Sequence, residues 1–260
     1  MSDPVFVIDC GDKRNVYIYA MLKKRGFGVI KTASGNVFDA DKKYVFLYAP
    51  AVRLTADMTK GIPIGSTVFC TDCCSGEVRE KLKKERNVTV FNYFDDEYLA
   101  VRNAALTAEG ALAAVITETD KSLNGLNILV LGGGRVGKCA ARILQVNGCK
   151  VSIATRRSDE YVLTPLFADA VYHFEEIDRI LHGFDVVINT VPAMILKRER
   201  LLMLKKDCFV LDLASKPGGV DTDAAGELGT NLMIYLGVPG KVAPKSAAEL
   251  LLDSVLDRMV

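Results

Sequence analysis

The sequence predicts an α/β protein, with a doubly wound parallel sheet in its second half and a smaller α/β domain before it. Three observations predict this fold class. Short apolar strands alternate with helical segments along the whole chain. A glycine-rich turn at residues 132–137 joins an apolar strand to a helical segment. The chain has 260 residues, 50% of them hydrophobic, which is enough for two domains with cores of their own.

The first half predicts a small domain with a mainly parallel sheet. Asp12 is expected to cap a helix that runs to Lys24, and residues 75–86 to form an amphipathic helix. A longer helical segment starts at residues 95–97 and ends near Asp120. It is expected to break and restart at residues 106–110, with Thr107 as a second cap. The predicted strands are 5–9, 28–31, 44–49, 67–70 and 88–91.

The second half has a strongly βαβ pattern. Residues 135–146 form the crossover helix after the first strand, and six strands with crossovers complete a Rossmann sheet. The predicted strands are 128–131, 151–155, 170–174, 186–189, 209–213 and 232–236. Apolar residues recur at helical spacing in the tail, and we expect this C-terminal helix to pack back on the first domain.

The spacing Gly132-x-Gly134-x-x-Gly137 between a strand and a helix is typical of a loop that wraps a dinucleotide pyrophosphate. Gly132 permits the tight turn, Gly134 lets backbone approach the phosphates, and Gly137 lets the helix pack closely on the strand. The helix N-terminus, with Arg135 and Val136 in its first turn, offers N–H groups and a positive dipole end. An ordinary glycine-rich turn is the alternative, but the flanking strand and helix favour dinucleotide binding.

The end of the second strand indicates which dinucleotide binds. NAD-type folds place an acidic residue here, which bonds the ribose 2′-hydroxyl. This chain has Thr155, Arg156, Arg157 and Ser158 instead, and arginine binds phosphate as a bidentate fork. The segment favours NADP over NAD, with a solvated basic turn as the alternative. FAD is disfavoured, because nothing else in the chain provides a long isoalloxazine-binding region.

Further candidate residues follow the later strands, where the ligands of doubly wound sheets bind. The loop after the fourth strand is expected to contact the nicotinamide ribose, and cations after the fifth and sixth strands indicate an anionic substrate. The segment 237–245 is predicted to be a rigid loop. For any one lysine a solvated surface role is equally consistent. The cofactor candidates are Thr190, Val191, Pro192, Ala214 and Gly237, and the lysines are Lys216, Lys241 and Lys245.

The first domain adds Arg14 after its first strand, Arg53 after its third and Thr107 at the predicted helix restart. Guanidinium groups and helix N-termini suit carboxylates or phosphates. A place on the surface of an amphipathic helix is the alternative for Arg14. The predicted organisation is an N-terminal α/β substrate and partner domain over residues 1–120, an NADP-binding Rossmann domain over 121–245 and a C-terminal helix over 246–260.

Charge and composition argue against several classes of function. With 33 basic and 32 acidic residues the net charge is +1, which supports neither a nucleic-acid-binding nor a membrane-binding surface. No leader peptide or transmembrane segment is predicted, so we expect a cytoplasmic protein. Among the seven cysteines only Cys70, Cys73 and Cys74 lie close together, and a strand end with small residues is favoured there over a metal or redox site. No metal is predicted.

The chain resembles the family of the dipicolinate synthase dehydrogenase subunit over nearly its whole length. The most specific matching segments are Asp212-Leu-Ala-Ser-Lys-Pro-Gly-Gly219 and Pro239-Gly-Lys-Val-Ala-Pro-Lys245. The other matching segments are Gly11-Asp-x-Arg14, Phe91-Asn-Tyr-Phe94, Asn103, Thr107-Ala-Glu-Gly-Ala111, Val130-Leu-Gly-x-Gly-Arg-x-Gly137 and Asp185-x-Val-Ile-Asn-Thr-x-Pro192.

This resemblance implies one half of a two-subunit enzyme of spore-forming bacteria, with a flavoprotein-like second subunit of dipicolinate synthase as its partner. The implied reaction forms dipicolinate from a cyclic product of the lysine branch, a small dicarboxylate. The implied location is the mother-cell cytoplasm of a sporulating bacterium, and a homo-oligomer is compatible with this assignment.

For a six-membered ring with two carboxylates, Arg14 and Thr107 are expected to hold one carboxylate. Lys216, Lys241 or Lys245 is expected to hold the other. Oxidation transfers a hydride to NADP⁺ and a proton to a base or to water, and most of the catalysis comes from positioning.

The candidate bases are Asp12, Glu109 and Lys216, and the two acids have structural alternatives as a helix cap and a dipole partner. Two other functions stay open at this point. One is a stand-alone NADP-dependent dehydrogenase of the shikimate or amino-acid type, and the other is a non-catalytic NADP-binding subunit of a flavoprotein.

Overall fold

The computed structural model describes residues 3–32, 37–39, 41–50, 52, 54–71, 76–157 and 162–259. These residues form two compact units, one of Met1–Asn103 with Pro239–Val260 and one of Ala104–Val238. Each unit has a parallel sheet with helices packed on it. The predicted fold class is confirmed.

The sheet of the first unit has five parallel strands in the order β2-β1-β3-β4-β5. Its strands are Val5–Ile8 (β1), Val29–Lys31 (β2), Tyr44–Leu47 (β3), Thr67–Cys70 (β4) and Thr89–Asn92 (β5). In such an order the connections reverse between β1 and β3, and the carboxyl ends of these two strands flank a crevice where ligands of open α/β sheets bind.

Two helices cover one face of this sheet. The first is Lys13–Lys24 (α1), which Asp12 caps as predicted by accepting from the Arg14 backbone N–H. The second is the C-terminal helix Pro244–Asp257, which packs against α1 and buries its apolar positions in the same core. The predicted return of this helix to the first domain is therefore confirmed. The other face packs against Ala56–Lys60 (α2) and Gly76–Arg86 (α3).

The sheet of the second unit has six parallel strands in the order β8-β7-β6-β9-β10-β11. The strands are Asn127–Leu131 (β6), Lys150–Thr155 (β7), Ala170–His173 (β8), Val186–Asn189 (β9), Phe209–Asp212 (β10) and Asn231–Ile234 (β11). This order is that of a complete Rossmann sheet, and the connections reverse between β6 and β9. The crossover helix Arg135–Val146 (α5) packs on β6 through small side chains, Ala140 and Ala141. Shorter helices are Ile177–Ile180, Arg198–Leu201 and Thr222–Leu228.

The long helix Glu97–Glu118 (α4) is continuous. The predicted break at residues 106–110 is therefore wrong, because Gly110 is tolerated inside a helix whose neighbours Ala108 and Ala111 are buried in the core of the second unit. Among the described residues, α4 alone has the length and composition of a membrane span. In the 18-residue apolar stretch of this helix, 56% is buried in the protein, as is typical of a core helix.

The compact units divide within α4, between Asn103 and Ala104, and again between Val238 and Pro239. The boundaries expected from the sequence lie near residues 120 and 245. The observed division within α4 lies earlier in the chain than expected because residues 108–115 of this helix belong to the core of the Rossmann sheet. The roles expected of the two domains stay predictions.

Candidate functional site

The glycine-rich loop after β6 has the geometry that its spacing predicts. Gly132 has a φ of +105°, and a Cβ there would lie 2.5 Å from Thr190 Oγ1. A Cβ on Gly137 would lie 2.0 Å from the carbonyl oxygen of Gly132. Both positions therefore need glycine for the protein's own folding, the first for its backbone conformation and the second for close helix packing.

Gly134 differs from these two glycines. Its φ of −73° suits any residue, and a Cβ there would meet no protein atom within 4 Å. It is the N-cap of α5, and as a glycine it has no side chain with which to cap the helix. The space that a side chain on Gly134 would occupy is thus open, which fits the pyrophosphate of a dinucleotide at this helix N-terminus. Arg135 is exposed and Val136 half-buried in the first turn.

The segment after β7 ends in two arginines. Thr155 is buried and its hydroxyl accepts from the Arg157 backbone N–H at 3.4 Å, while both guanidinium-bearing residues are exposed. The Arg156 guanidinium lies over the Phe174 ring, 5.4 Å from its centroid. Ser158 lies outside the described residues. The described part of the segment fits a 2′-phosphate, since exposed guanidinium groups follow the strand at the required place.

The loops after β9 and β10 are joined by a buried polar pair that was not among the predicted site residues. Asn189 and Asp212 are 0% and 2% exposed and lie level with each other on neighbouring strands. Asn189 Nδ2 donates to Asp212 Oδ1 at 2.8 Å and to the Val191 carbonyl at 3.0 Å. The carboxylate also accepts from the backbone N–H groups of Ala214 at 3.1 Å and Gly219 at 3.0 Å. One pair therefore fixes both loops.

Thr190 extends this network to the glycine-rich loop. Its hydroxyl and its backbone N–H both donate to the Leu131 carbonyl, at 2.8 and 2.9 Å. The predicted cofactor residues Thr190, Val191 and Ala214 thus lie at one edge of one sheet, together with Gly132. Pro192 is exposed beside them, and Lys216 is exposed in the loop after β10, where it precedes a cis proline.

In the first unit, Arg14 is held at the carboxyl end of β1. It is 4% exposed, and its Nε and Nη2 donate to the two carboxylate oxygens of Asp12 at 2.9 and 2.7 Å. A Cβ on Gly240 would lie 2.9 Å from Nε, so this glycine lets the backbone rest on the guanidinium. Nη1 bonds to no described residue. The surface alternative for Arg14 is wrong, because the pair with Asp12 allows its burial.

The pKa of Asp12 bears on its candidacy as a base. Burial acts to raise this pKa, but the hydrogen bonds and the charge of Arg14 outweigh it and lower the pKa overall. A carboxylate in a bidentate arginine pair is a weak base, so the geometry favours capping and positioning for Asp12.

Two buried polar groups near Arg14 were not predicted. Asn15 is 0% exposed and donates to the carbonyls of Asp9 and Leu47, at 2.7 and 3.3 Å, which joins the ends of β1 and β3. Its Oδ1 and the hydroxyl of Tyr93 are buried without a partner among the described residues. Burial raises the pKa of Tyr93 far above its usual range, so the hydroxyl stays protonated. The signal in the sequence was an asparagine directly after Arg14 and a tyrosine directly after a strand.

The remaining predicted residues differ in burial, and some of them lie outside the described part of the chain. Thr107 is 7% exposed in the middle of α4, so the argument from a helix N-terminus at this residue is wrong. Glu109 is exposed in the middle of the same helix and is therefore not a dipole partner in a first turn. Arg53, Cys73 and Cys74 lie outside the described residues, and Cys70 is buried at the end of β4.

The predicted rigid loop over residues 237–245 is also wrong. Gly237 has a φ of +64°, Val238–Val242 form a short helix, and Pro244 begins the C-terminal helix. Proline suits the first helical turn because its missing N–H would have no partner there. Lys241 and Lys245 are exposed on these helices, in the first unit.

Comparison with known proteins agrees with this geometry. The family described as Shikimate / quinate 5-dehydrogenase matches residues 111–246, slightly more than half of the chain. The chain belongs to this family. It is an oxidoreductase by class, as predicted, and its Rossmann sheet carries the strand order and glycine loop of nicotinamide-dependent dehydrogenases.

The resemblance to dipicolinate synthase is confirmed, because its A subunits are among the similar proteins. The chain is 31% identical to the A subunit of Bacillus subtilis (strain 168) over 70% of its own length, and the alignment spans 61% of the relative. The crystal structure of the A subunit from Bacillus halodurans superposes with a TM-score of 0.85 at 28% identity, covering 99% of this chain and 98% of the other. The structure from Bacillus subtilis shares the fold, with a TM-score of 0.81 at 24% identity over 100% and 96% of the two chains.

Proposed function

We propose that this chain is an NADP-dependent dehydrogenase subunit of a dipicolinate synthase, which oxidises a cyclic dicarboxylate to dipicolinate. The observation that carries the dinucleotide part is Gly134. A glycine that neither backbone conformation nor packing requires is the N-cap of α5, where it supplies no side-chain cap, and it lies between two glycines that the fold does require. Space for a phosphate against bare backbone explains the glycine at this third position.

The choice of NADP over NAD rests on the end of β7. An NAD site needs a carboxylate there to accept from the ribose 2′-hydroxyl, and this chain has Arg156 and Arg157. The Phe174 ring under Arg156 limits the orientations of the guanidinium. A planar fork held on an aromatic ring suits a phosphate dianion.

The nicotinamide part is proposed to contact Thr190, Val191, Pro192 and Ala214. When bound, NADP⁺ accepts a hydride from the substrate. The buried pair Asn189 and Asp212 holds the loops in place, and Lys216 is exposed beside them. The substrate proton released in the oxidation goes to a base or to water.

The substrate class is proposed from cations that lie in positions for anion recognition. Lys216 is exposed at the carboxyl edge of the Rossmann sheet, and Arg14 has its Nη1 without a partner among the described residues at the carboxyl edge of the first sheet. An ammonium group and a guanidinium group are both suited to bind carboxylates. The relatives named above are dipicolinate synthases, which is the reason for choosing a ring with two carboxylates over other dianions.

We also propose a partner and a location from the same relatives. Because each is described as one subunit of a synthase, a second and flavoprotein-like subunit is expected to complete the enzyme. A sporulating cell's mother-cell cytoplasm is the expected place of the reaction.

The test is to incubate the purified chain with NADP⁺ and the cyclic product of the lysine branch, with and without the partner subunit, and to follow absorbance at ~340 nm, where the reduced nicotinamide absorbs. NADPH formation in either sample supports the proposal. Nucleotide binding without NADPH formation in both samples contradicts it and identifies a non-catalytic nucleotide-binding subunit.

The family match favours one second candidate, a stand-alone dehydrogenase of the shikimate type. This function predicts NADPH formation from shikimate, quinate or a 2-amino acid by the chain alone. The same assay with these substrates distinguishes the two functions, since the first requires a cyclic dicarboxylate and the second does not.

A further inference from the structure

Asp212 is a buried carboxylate whose hydrogen bonds all point to loops of the proposed nicotinamide side. Its Oδ1 accepts from the Asn189 side chain and the Ala214 backbone, and its Oδ2 accepts from the Gly219 backbone. None of the salt bridges of the described residues includes Asp212. One side-chain N–H at the end of β9 and two backbone N–H groups of the loop after β10 therefore converge on one carboxylate at the end of β10.

The glycines around this carboxylate show how closely the loop after β10 packs against it. A Cβ on Gly219 would lie 2.1 Å from Asn189 Nδ2 and 2.8 Å from the Val191 carbonyl oxygen. Gly218 has a φ of +86°, and a Cβ there would lie 3.2 Å from Asp212 Oδ2. The loop after β10 thus approaches the loop after β9 at backbone distance, which only a residue without a side chain allows.

We propose that Asp212 is a positioning residue that couples the loop after β9, Thr190–Pro192, to the loop after β10, which carries Lys216. The inference rests on the proposed function, because it assigns these loops to the nicotinamide half of the dinucleotide. Asp212 acts through Asn189 and the two backbone N–H groups, and it holds the nicotinamide loops without touching the adenosine half.

The chemistry of the donors makes a carboxylate necessary. Three N–H groups need three acceptor sites, and a carboxylate has about four. In Asp212→Asn, one oxygen can still accept from Asn189 and Ala214, but the new amide N–H₂ faces the Gly219 N–H. Two donors then oppose each other in a buried place, and the loop that carries Lys216 is released while the strand pairing of β10 is kept.

The experiment compares two ligands by calorimetric titration of the full chain. NADP⁺ tests both halves of the site, and 2′,5′-ADP tests the adenosine half alone. For Asp212→Asn we expect NADP⁺ binding to weaken by ~10–100-fold, as for a lost hydrogen bond to a charged group. Binding of 2′,5′-ADP should change by less than about twofold, since distant sites are independent.

Asp169→Asn is the matched control. Asp169 accepts from the Val151 backbone N–H at 2.8 Å, at the amino edge of the same sheet, away from the loops in question. We expect this variant to bind both ligands as the unmodified chain does. If Asp212→Asn does not fold, Gly219→Ala disturbs the same contact from the loop side and should give the same split between ligands.

Equal binding of NADP⁺ by Asp212→Asn and the unmodified chain would overturn the inference. Equal weakening of NADP⁺ and 2′,5′-ADP would overturn it as well, since this indicates a general role in folding. If the unmodified chain binds neither ligand, the proposed function fails, and the inference fails with it.

Discussion

The three glycines of the loop after β6 permit a prediction that separates folding from ligand binding. Gly134→Ala places a methyl group where no protein atom lies within 4 Å, at a φ of −73° that alanine adopts freely. Replacing glycine lowers the conformational entropy of the unfolded chain, and this stabilises the folded protein by ~0.4–1 kcal/mol. Alanine is a poorer N-cap than glycine by a similar amount, ~1 kcal/mol. The free energy of unfolding should thus change by less than about 1 kcal/mol.

Gly137→Ala has the opposite effect on the fold. Its Cβ would lie 2.0 Å from the Gly132 carbonyl oxygen, so α5 or the loop must move by roughly 1 Å or more to restore contact distance. Overpacking of this kind destabilises by ~1–3 kcal/mol. For a protein of this size the melting temperature should fall by about 2–4 °C per kcal/mol, or ~2–12 °C in total.

The two variants are measured side by side by scanning calorimetry and by titration with NADPH. For Gly134→Ala we expect a melting temperature within about 4 °C of that of the unmodified chain. We also expect a tenfold or larger loss of NADPH affinity, equal to ~1.4 kcal/mol or more. If Gly134→Ala binds NADPH as tightly as the unmodified chain, the loop does not receive the pyrophosphate and the reasoning fails. If Gly134→Ala melts as early as Gly137→Ala, the distinction between the two glycines is refuted.

Three further predictions concern other parts of the chain. Burial acts to raise the pKa of Asp185, but hydrogen bonds from lysines and from backbone hold this pKa well below its usual range. The ionised carboxylate therefore stabilises the fold at pH values above the unfolded-state pKa of ~3.9, and this stabilisation is lost as the pH falls. Asp185→Asn should destabilise by ~1.5–3 kcal/mol at neutral pH, and denaturant titrations should show this difference shrinking below pH ~4. Gly240→Ala should displace the Arg14 guanidinium and raise the KM of the substrate with kcat little changed, whereas an unchanged KM would remove Arg14 from the substrate site. Burial raises the pKa of Cys208 to about 12, so alkylation of the native protein at pH ~8 followed by mass spectrometry should find Cys208 unmodified.

Much of the fold was predictable because its signals are local. Each strand of the two sheets is a short apolar run, and each of the six Rossmann strands was predicted within a residue or two of its observed bounds. The glycine loop was predictable for the same reason, since Gly132, Gly134 and Gly137 act within a single turn. Asp12 was identified as a helix cap because capping involves only the next two residues.

The errors came where packing overrides local preference. Thr107 and Gly110 resemble a cap and a break, yet α4 continues through both because Ala108, Ala111 and Ala114 bury one side of it in the core. The segment 237–245 has two prolines and two glycines, a composition typical of a loop. Pro239 and Pro244 both fall within the first residues of helices, where proline is favoured.

The coupling of Asn189 to Asp212 is a different case. The sequence showed that each of these polar residues ends a buried strand, but the pairing between them was not predicted. Each is the last residue of an otherwise apolar buried strand, and a polar group in that position needs a buried hydrogen-bond partner. The strand order places β10 beside β9, and the parallel register sets Asp212 level with Asn189. A Rossmann order predicted from the glycine loop would therefore have been sufficient to pair them. Polar residues that end two neighbouring strands of a doubly wound sheet can be read as partners, and their loops as one structural unit.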